Sequence, residues 1–276
     1  MIRRFLFLAI LFSLAIAASA EVKLPAVLGN DMVLQRNSEV NLWGEATANR
    51  TVTVRTSWNG KKYRTKSDSD GKWALKVATG EAGGPYEIEF SDGDKLTLNG
   101  ILLGEVWVCG GQSNMEMPVG GYMYQPINGV EKDIAEAYDY PNIRMFTVPR
   151  CISDTPKEDC DTIWRTSNPM TVRTFSAIAY LFAKELNKVL DVPIGIVTSN
   201  WGGTIIEAWM SKESITAIEG RNAAYDSRRR GENAFAALYN GMIRPICNFT
   251  AKDSSGIREN PTAATGTTTQ SFRKHR

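Results

Sequence analysis

The chain has 276 residues, long enough for a large core and better suited to two folding units than to one. Its 32 Lys and Arg against 30 Asp and Glu leave a formal charge of +2, with acids and bases interspersed, so no electrostatic footprint argues for a nucleic-acid partner. The one local cluster, Arg228-Arg229-Arg230, reads as a solvated surface run. Four cysteines do not make a disulfide scaffold. Cys151 and Cys160 bracket a polar loop and could pair in an oxidising compartment, while Cys109, in an apolar strand, reads as a small buried hydrophobe.

Residues 1–20 read as a signal peptide. "MIRR" is a cationic start, "FLFLAILFSLAIAA" an apolar stretch, and Ala18-Ser19-Ala20 a small-residue cleavage site. The apolar stretch is short for a membrane span. A secreted or periplasmic protein beginning near Glu21 is expected, with no membrane attachment after cleavage.

From Glu21 to about Gly100 the pattern is short and alternating: "EVNLWGEA", "TVTVRTSW", "KKYRTKS", "KWALKVAT", "YEIEFS" and "KLTLNG". Turn clusters such as "SDSDGK" and "EAGGP" separate these segments, which predicts an all-β sandwich over 21–100. The stretch offers no catalytic constellation.

After Gly100 the period changes. "EVWVC", "NIRMFTV" and "VPIGIVTSN" are buried-strand candidates, and "SAIAYLFAKELNKVL" predicts a helix with Ile178, Leu181, Phe182, Leu186, Val189 and Leu190 on one face. "WGGTIIEAWMS" is a glycine turn leading toward another helix. Strand, helix, strand and glycine loop imply a parallel sheet with crossover helices. Sites in such sheets collect at the carboxyl ends of the strands, where both "GGQSNMEMP" and Gly202-Gly203 fall.

A serine hydroxyl is a weak nucleophile unless it is exposed on a tight turn, near a base and beside donors for an oxyanion. Gly110 and Gly111 permit such a turn before Ser113. Taken by itself, Ser113 reads first as an N-cap, and the second glycine loop shifts that balance toward a nucleophile. Gly202 and Gly203, lacking Cβ, would let a backbone N–H approach a tetrahedral intermediate. Gln112 and Asn114 flank the serine as candidate substrate contacts, and Trp201 and Trp209 flank the second loop, where either ring could stack on a sugar or simply fill the core.

Together "LPAVLGNDMVLQR", "GEVWVCGGQSNMEMP", "NWGGTIIEAW" and "LYNGMIRPI" resemble the sialate O-acetylesterase family of secreted SGNH-type serine esterases, over about Val22 to Lys252. The resemblance implies an α/β protein: an N-terminal β-sandwich followed by a flavodoxin-like, three-layer hydrolase domain, incomplete here at 101–252. It implies Ser113 as nucleophile, with the Ser113 amide and a glycine of "WGGT", foremost Gly203, lining the oxyanion hole. The implied substrate is an O-acetylated sugar or glycan. No metal or organic cofactor is called for, since no Cys/His/Asp cluster has ligand spacing.

The family takes its base from a late D-x-x-H motif, whereas the single histidine here is His275, in a Thr- and Ser-rich tail with few large apolar residues. The tail begins where the family has a strand and a W-Y-Q-G-E-S-N motif. Back-translated and read from the third base of the Lys252 codon, allowed codons spell "GFLWYQGESNRSDWYDYAVL". The expectation is therefore a frameshift near Lys252, with 253–276 an unrelated, disordered tail, an apolar sheet edge left bare, poor stability, and little or no turnover. Acetylated xylan or another polysaccharide is a second candidate substrate. A secreted carbohydrate-binding protein carrying a hydrolase remnant is a reading from another class.

Overall fold

The computed structural model describes residues 22–218 and 229–257; the expected leader and His275 lie outside the described residues. After a short buried strand β1 (Val33–Gln35), the alternating segments become β2 (Glu39–Glu45), β3 (Thr51–Thr56), β4 (Lys62–Lys66), β5 (Lys72–Ala78) and β6 (Gly83–Ser91), and "KLTLNG" opens the strand that follows. Their two-residue period shows directly as burial: in β3, Val52, Val54 and Thr56 are buried and Thr51 and Arg55 exposed. β2 and β5 form an antiparallel ribbon whose Val40, Leu42, Trp73 and Val77 share one core with Val52, Val54, Ile88 and Phe90 of β3 and β6. The rings of Trp73 and Phe90 lie 6.0 Å apart across that core.

β7 (Lys95–Gly111) is a single strand of 17 residues. Its first half runs antiparallel to β6 and parallel to β1. Its second half runs parallel to β10 (Ile194–Asn200), which in turn pairs in parallel with β8 (Ile143–Thr147), and β9 (Arg165–Thr166) closes that side. The division expected at residues 100 and 101 falls inside β7, where the register with β6 continues from Leu98 to Ile101 across a local irregularity. The larger core runs through as well, joining Val54 and Phe90 to Val106, Phe146, Val197 and Met242.

Two expectations are corrected. Part of the 253–276 tail is ordered as β11 (Asp253–Ile257), which pairs in parallel with Trp107–Gly111, so the edge of β7 is occupied rather than bare. Ladder bonds are made by the backbone, and an open edge accepts an extended segment of almost any sequence.

The second concerns the helices α1 (Ser113–Glu116), α2 (Val130–Ala135), α3 (Pro169–Thr174) and α4 (Ala177–Leu190). In α4 the deeply buried residues are Ala179, Tyr180, Ala183 and Lys184, with Ile178, Phe182 and Leu186 beside them, whereas Val189 is 77% and Leu190 40% exposed. Small alanines let the helix lie close to the sheet, and the larger aliphatic residues flank that contact. Lys184 is tolerated inside because its Nζ donates to Asp133 at 2.7 Å and to Glu136 at 2.8 Å. Among the described residues no helix is long and apolar enough to cross a membrane.

Candidate active site

β7 and β10 end side by side, with Gly111 opposite Asn200, so the serine turn and the glycine loop leave the sheet together. Three hydrogen bonds then tie the two loops: Trp201 N–H to Gly111 O at 3.1 Å, Asn200 Nδ2 to Met115 O at 3.2 Å, and Gly202 N–H to Glu116 Oε2 at 2.7 Å. Buried Met115 anchors α1 from below and accepts from Ser176 Oγ at 3.7 Å.

Ser113 is the first residue of α1 and its side chain is exposed; Gln112 occupies the N-cap position, so the serine does not serve as the cap. Asn114 is exposed beside it and Gln112 half-buried. The two glycines of the second loop are not equivalent. A Cβ on Gly202 would meet Glu116 Oε2 at 2.9 Å and Ser113 Cα and Cβ at 3.4 and 3.5 Å. Gly202 is thus the residue packed against the serine, and its N–H is taken by Glu116. Gly203 is exposed at φ +78°, with open space around it, and no described hydrogen bond engages its N–H.

Glu116 was not singled out from the sequence, although it stands within "GGQSNMEMP". Its Oε1 accepts from Arg150 Nε at 2.9 Å and forms an ion pair with the same guanidinium, which lies 5.0 Å from the Trp201 ring centroid. The Tyr122 hydroxyl is raised above its ordinary range by burial and by the nearby Glu116 charge. Arg150 carried no sequence signal, because a lone arginine after a strand has no pattern of its own. Trp201 is half-buried at the loop, as a substrate contact would require. Of the two readings left open for Trp209, the structure places it in the core: it is 7% exposed, belongs to the large core and donates its indole N–H to Thr204 Oγ1 at 2.8 Å.

"LYNGMIRPI" supports the site from beneath. It forms a π-helical turn, Tyr239–Ile243, where Met242 O accepts from Ser199 Oγ at 3.2 Å and where the backbone carbonyl of Cys151 leaves no room for a side chain on Gly241. Cys109 is buried, and none of the four cysteines is in a disulfide. Burial first, then Asp159, Asp161 and Cys151, push the Cys160 thiol up to about 12. Among the described residues none makes a hydrogen bond to Ser113 Oγ.

No family model matches the chain. Over 260 residues it is 31% identical to the sialate O-acetylesterase of Pongo abelii, an alignment taking in 86% of this chain and 48% of that protein. It is likewise 31% identical to the sialate O-acetylesterase of Homo sapiens over 261 residues, with the same shares. The crystal structure of a carbohydrate acetylesterase from Xanthomonas citri superposes with a TM-score of 0.75 at 33% identity, covering 87% of this chain and 51% of that one. The chain spans about half the length of the relatives it matches. Over that half, the chain shares its sequence with sialate O-acetylesterases and its fold with a carbohydrate acetylesterase.

Proposed function

We propose that the chain carries the nucleophile-bearing part of a carbohydrate O-acetylesterase, with Ser113 attacking the acetyl carbonyl of an O-acetylated sugar. The observation that carries this is the seating of Ser113, exposed on its turn, against the glycine loop at Gly202. In this reading Ser113 Oγ adds to the carbonyl, and the Ser113 and Gly203 amides hold the oxyanion. The sugar hydroxyl departs with a proton, and water then releases acetate from the acyl-serine. Because Glu116 occupies the Gly202 N–H, Gly203 is the glycine of that loop with a donor to offer. Gln112, Asn114 and Trp201 line the approach.

The same reading places the protein outside the cytoplasm after removal of residues 1–20, with a β-sandwich unit preceding a flavodoxin-like one. It also holds that a reading-frame change near Lys252 separates this chain from its catalytic histidine. A serine without its base retains only residual catalysis.

The test is acetate release from acetylated sialic acid and from acetylxylan, by the chain as given and by one re-read into "GFLWYQGESN" and completed. The first should show little or no turnover. The second should be active, and its Ser113→Ala variant should lose at least about a thousandfold. A robust rate from the first chain, or Ser113-independent activity in the second, would overturn the reading.

A further inference from the structure

We propose a saccharide-binding site on the N-terminal unit, in a cleft of about 340 Å³ between Trp58 and Tyr86. The two rings meet edge to face, 6.0 Å apart at 65°, and both are half-buried. The Trp58 indole is fixed by its N–H bond to Ala78 O at 3.0 Å. Leu103 forms part of the wall, and Gly80 leaves open space where any other residue would place a Cβ.

The polar lining is Asn59, Lys61, Thr79 and Glu81. Among the described residues Lys61 has no carboxylate partner, and Glu81 takes an amide hydrogen of Asn37 at 3.2 Å. One ammonium and one carboxylate leave the cleft without net charge. Thr79 Oγ1 and the Asn59 amide are already bonded to protein groups, which leaves Lys61 and Glu81 as the polar ends of the cleft beside the held Trp58 ring and Tyr86. An aromatic floor with one donor and one acceptor at its rim matches a neutral pyranose, which offers apolar C–H faces and an equatorial belt of hydroxyls.

Position separates this cleft from the serine. Leu103 lies eight residues before Gly111 on β7, which at ~3.3 Å per residue is roughly 26 Å. A sugar held there cannot be the one whose ester reaches Ser113, so the cleft suits a second segment of an oligosaccharide. The inference goes beyond the esterase reading and does not depend on catalysis.

The experiment is calorimetric titration of the full chain with unacetylated xylohexaose and cellohexaose, at low and high salt. Binding of at least one hexaose is expected, little changed by salt. Trp58→Ala and Tyr86→Leu should each weaken it about tenfold, with melting temperature recorded to show that the fold survives. Tyr138→Ala, which removes an exposed ring elsewhere, should leave it intact. Absence of binding by both hexaoses, affinity unchanged in both cleft variants, or affinity that collapses with salt would overturn the proposal. So would sedimentation showing that the cleft seats a second copy of this chain, lost in Trp58→Ala.

Discussion

The Glu116 carboxylate clamps the Gly202 amide with one oxygen, at 2.7 Å, and the Arg150 guanidinium with the other. The serine turn thereby fixes the backbone of the glycine loop. Glu116→Ala should cost about 1–2 kcal/mol, since it strands the half-buried Gly202 amide while the exposed Arg150 guanidinium returns to water, measured by chemical denaturation. Glu116→Gln, which can still accept from Gly202, should recover about half of that loss. Equal losses in the two variants would mean that the amide bond contributes nothing.

Unequal glycines predict unequal substitutions. Gly202→Ala drives a methyl to 2.9 Å from Glu116 Oε2 and should break the clamp. Gly203→Ala meets no atom and bears only the strain of φ +78°, about 1–2 kcal/mol. In an active, completed chain both should lower kcat, but only Gly202→Ala should erase the additional effect of Glu116→Ala. A double-mutant cycle reads that coupling.

Lys184 predicts a pH profile. Burial alone would lower its pKa, but the bonds from Asp133 and Glu136 win and raise it, while Lys184 holds the Glu136 carboxyl below its ordinary value of 4.5. The sign follows from linkage. The Glu136 contribution is present above its unfolded pKa and lost as pH falls through the lower folded value. The Lys184 contribution is present below its unfolded pKa and lost at strongly alkaline pH. Lys184→Met should therefore flatten the acid limb of stability against pH, and an unchanged limb would show that the pair is not coupled to folding.

Trp209 and Trp201 separate core from site. Trp209→Ala removes a buried ring and its bond to Thr204, and should cost about 3–5 kcal/mol. Trp201→Ala, which removes a half-buried ring beneath Arg150, should cost less and act chiefly on KM in a completed enzyme. Thermal melts and steady-state kinetics of the two variants together decide this.

Period two was plain in "TVTVRTSW" and "KWALKVAT" because each strand has one wet face, and these segments became β3 and β5 as expected. The expected α4 face holds at Ile178, Phe182 and Leu186, which pack on the core, and fails at Val189 and Leu190, because hydrophobicity does not mark Ala179, Ala183 and the amphipathic Tyr180 that lie deepest. The helix expected after Gly202-Gly203 shrank to a single 3-10 turn, Ile206–Trp209, held by side-chain bonds of Thr204 that no periodicity records. Ser113 and the glycine pair were legible because a turn beside a strand end requires glycine. Glu116 and Arg150 were not, because their meeting joins loops 34 residues apart. β11 was hidden for a different reason: its backbone pairing depends on the open edge of β7, which no local sequence pattern records.

The continuity of β7 sets how the molecule can be divided. A cut at Gly100 would sever a strand between two residues registered on the same neighbour, Leu98 on Ile88 and Ile101 on Tyr86, and would halve the core that contains both Phe90 and Val197. Neither fragment would inherit a finished edge or a closed interior. The serine turn and the cleft at Trp58 and Tyr86, roughly 26 Å apart along one strand, are therefore expected to unfold together, so that a lesion in either half reaches the other through shared unfolding rather than through any signal passed between them.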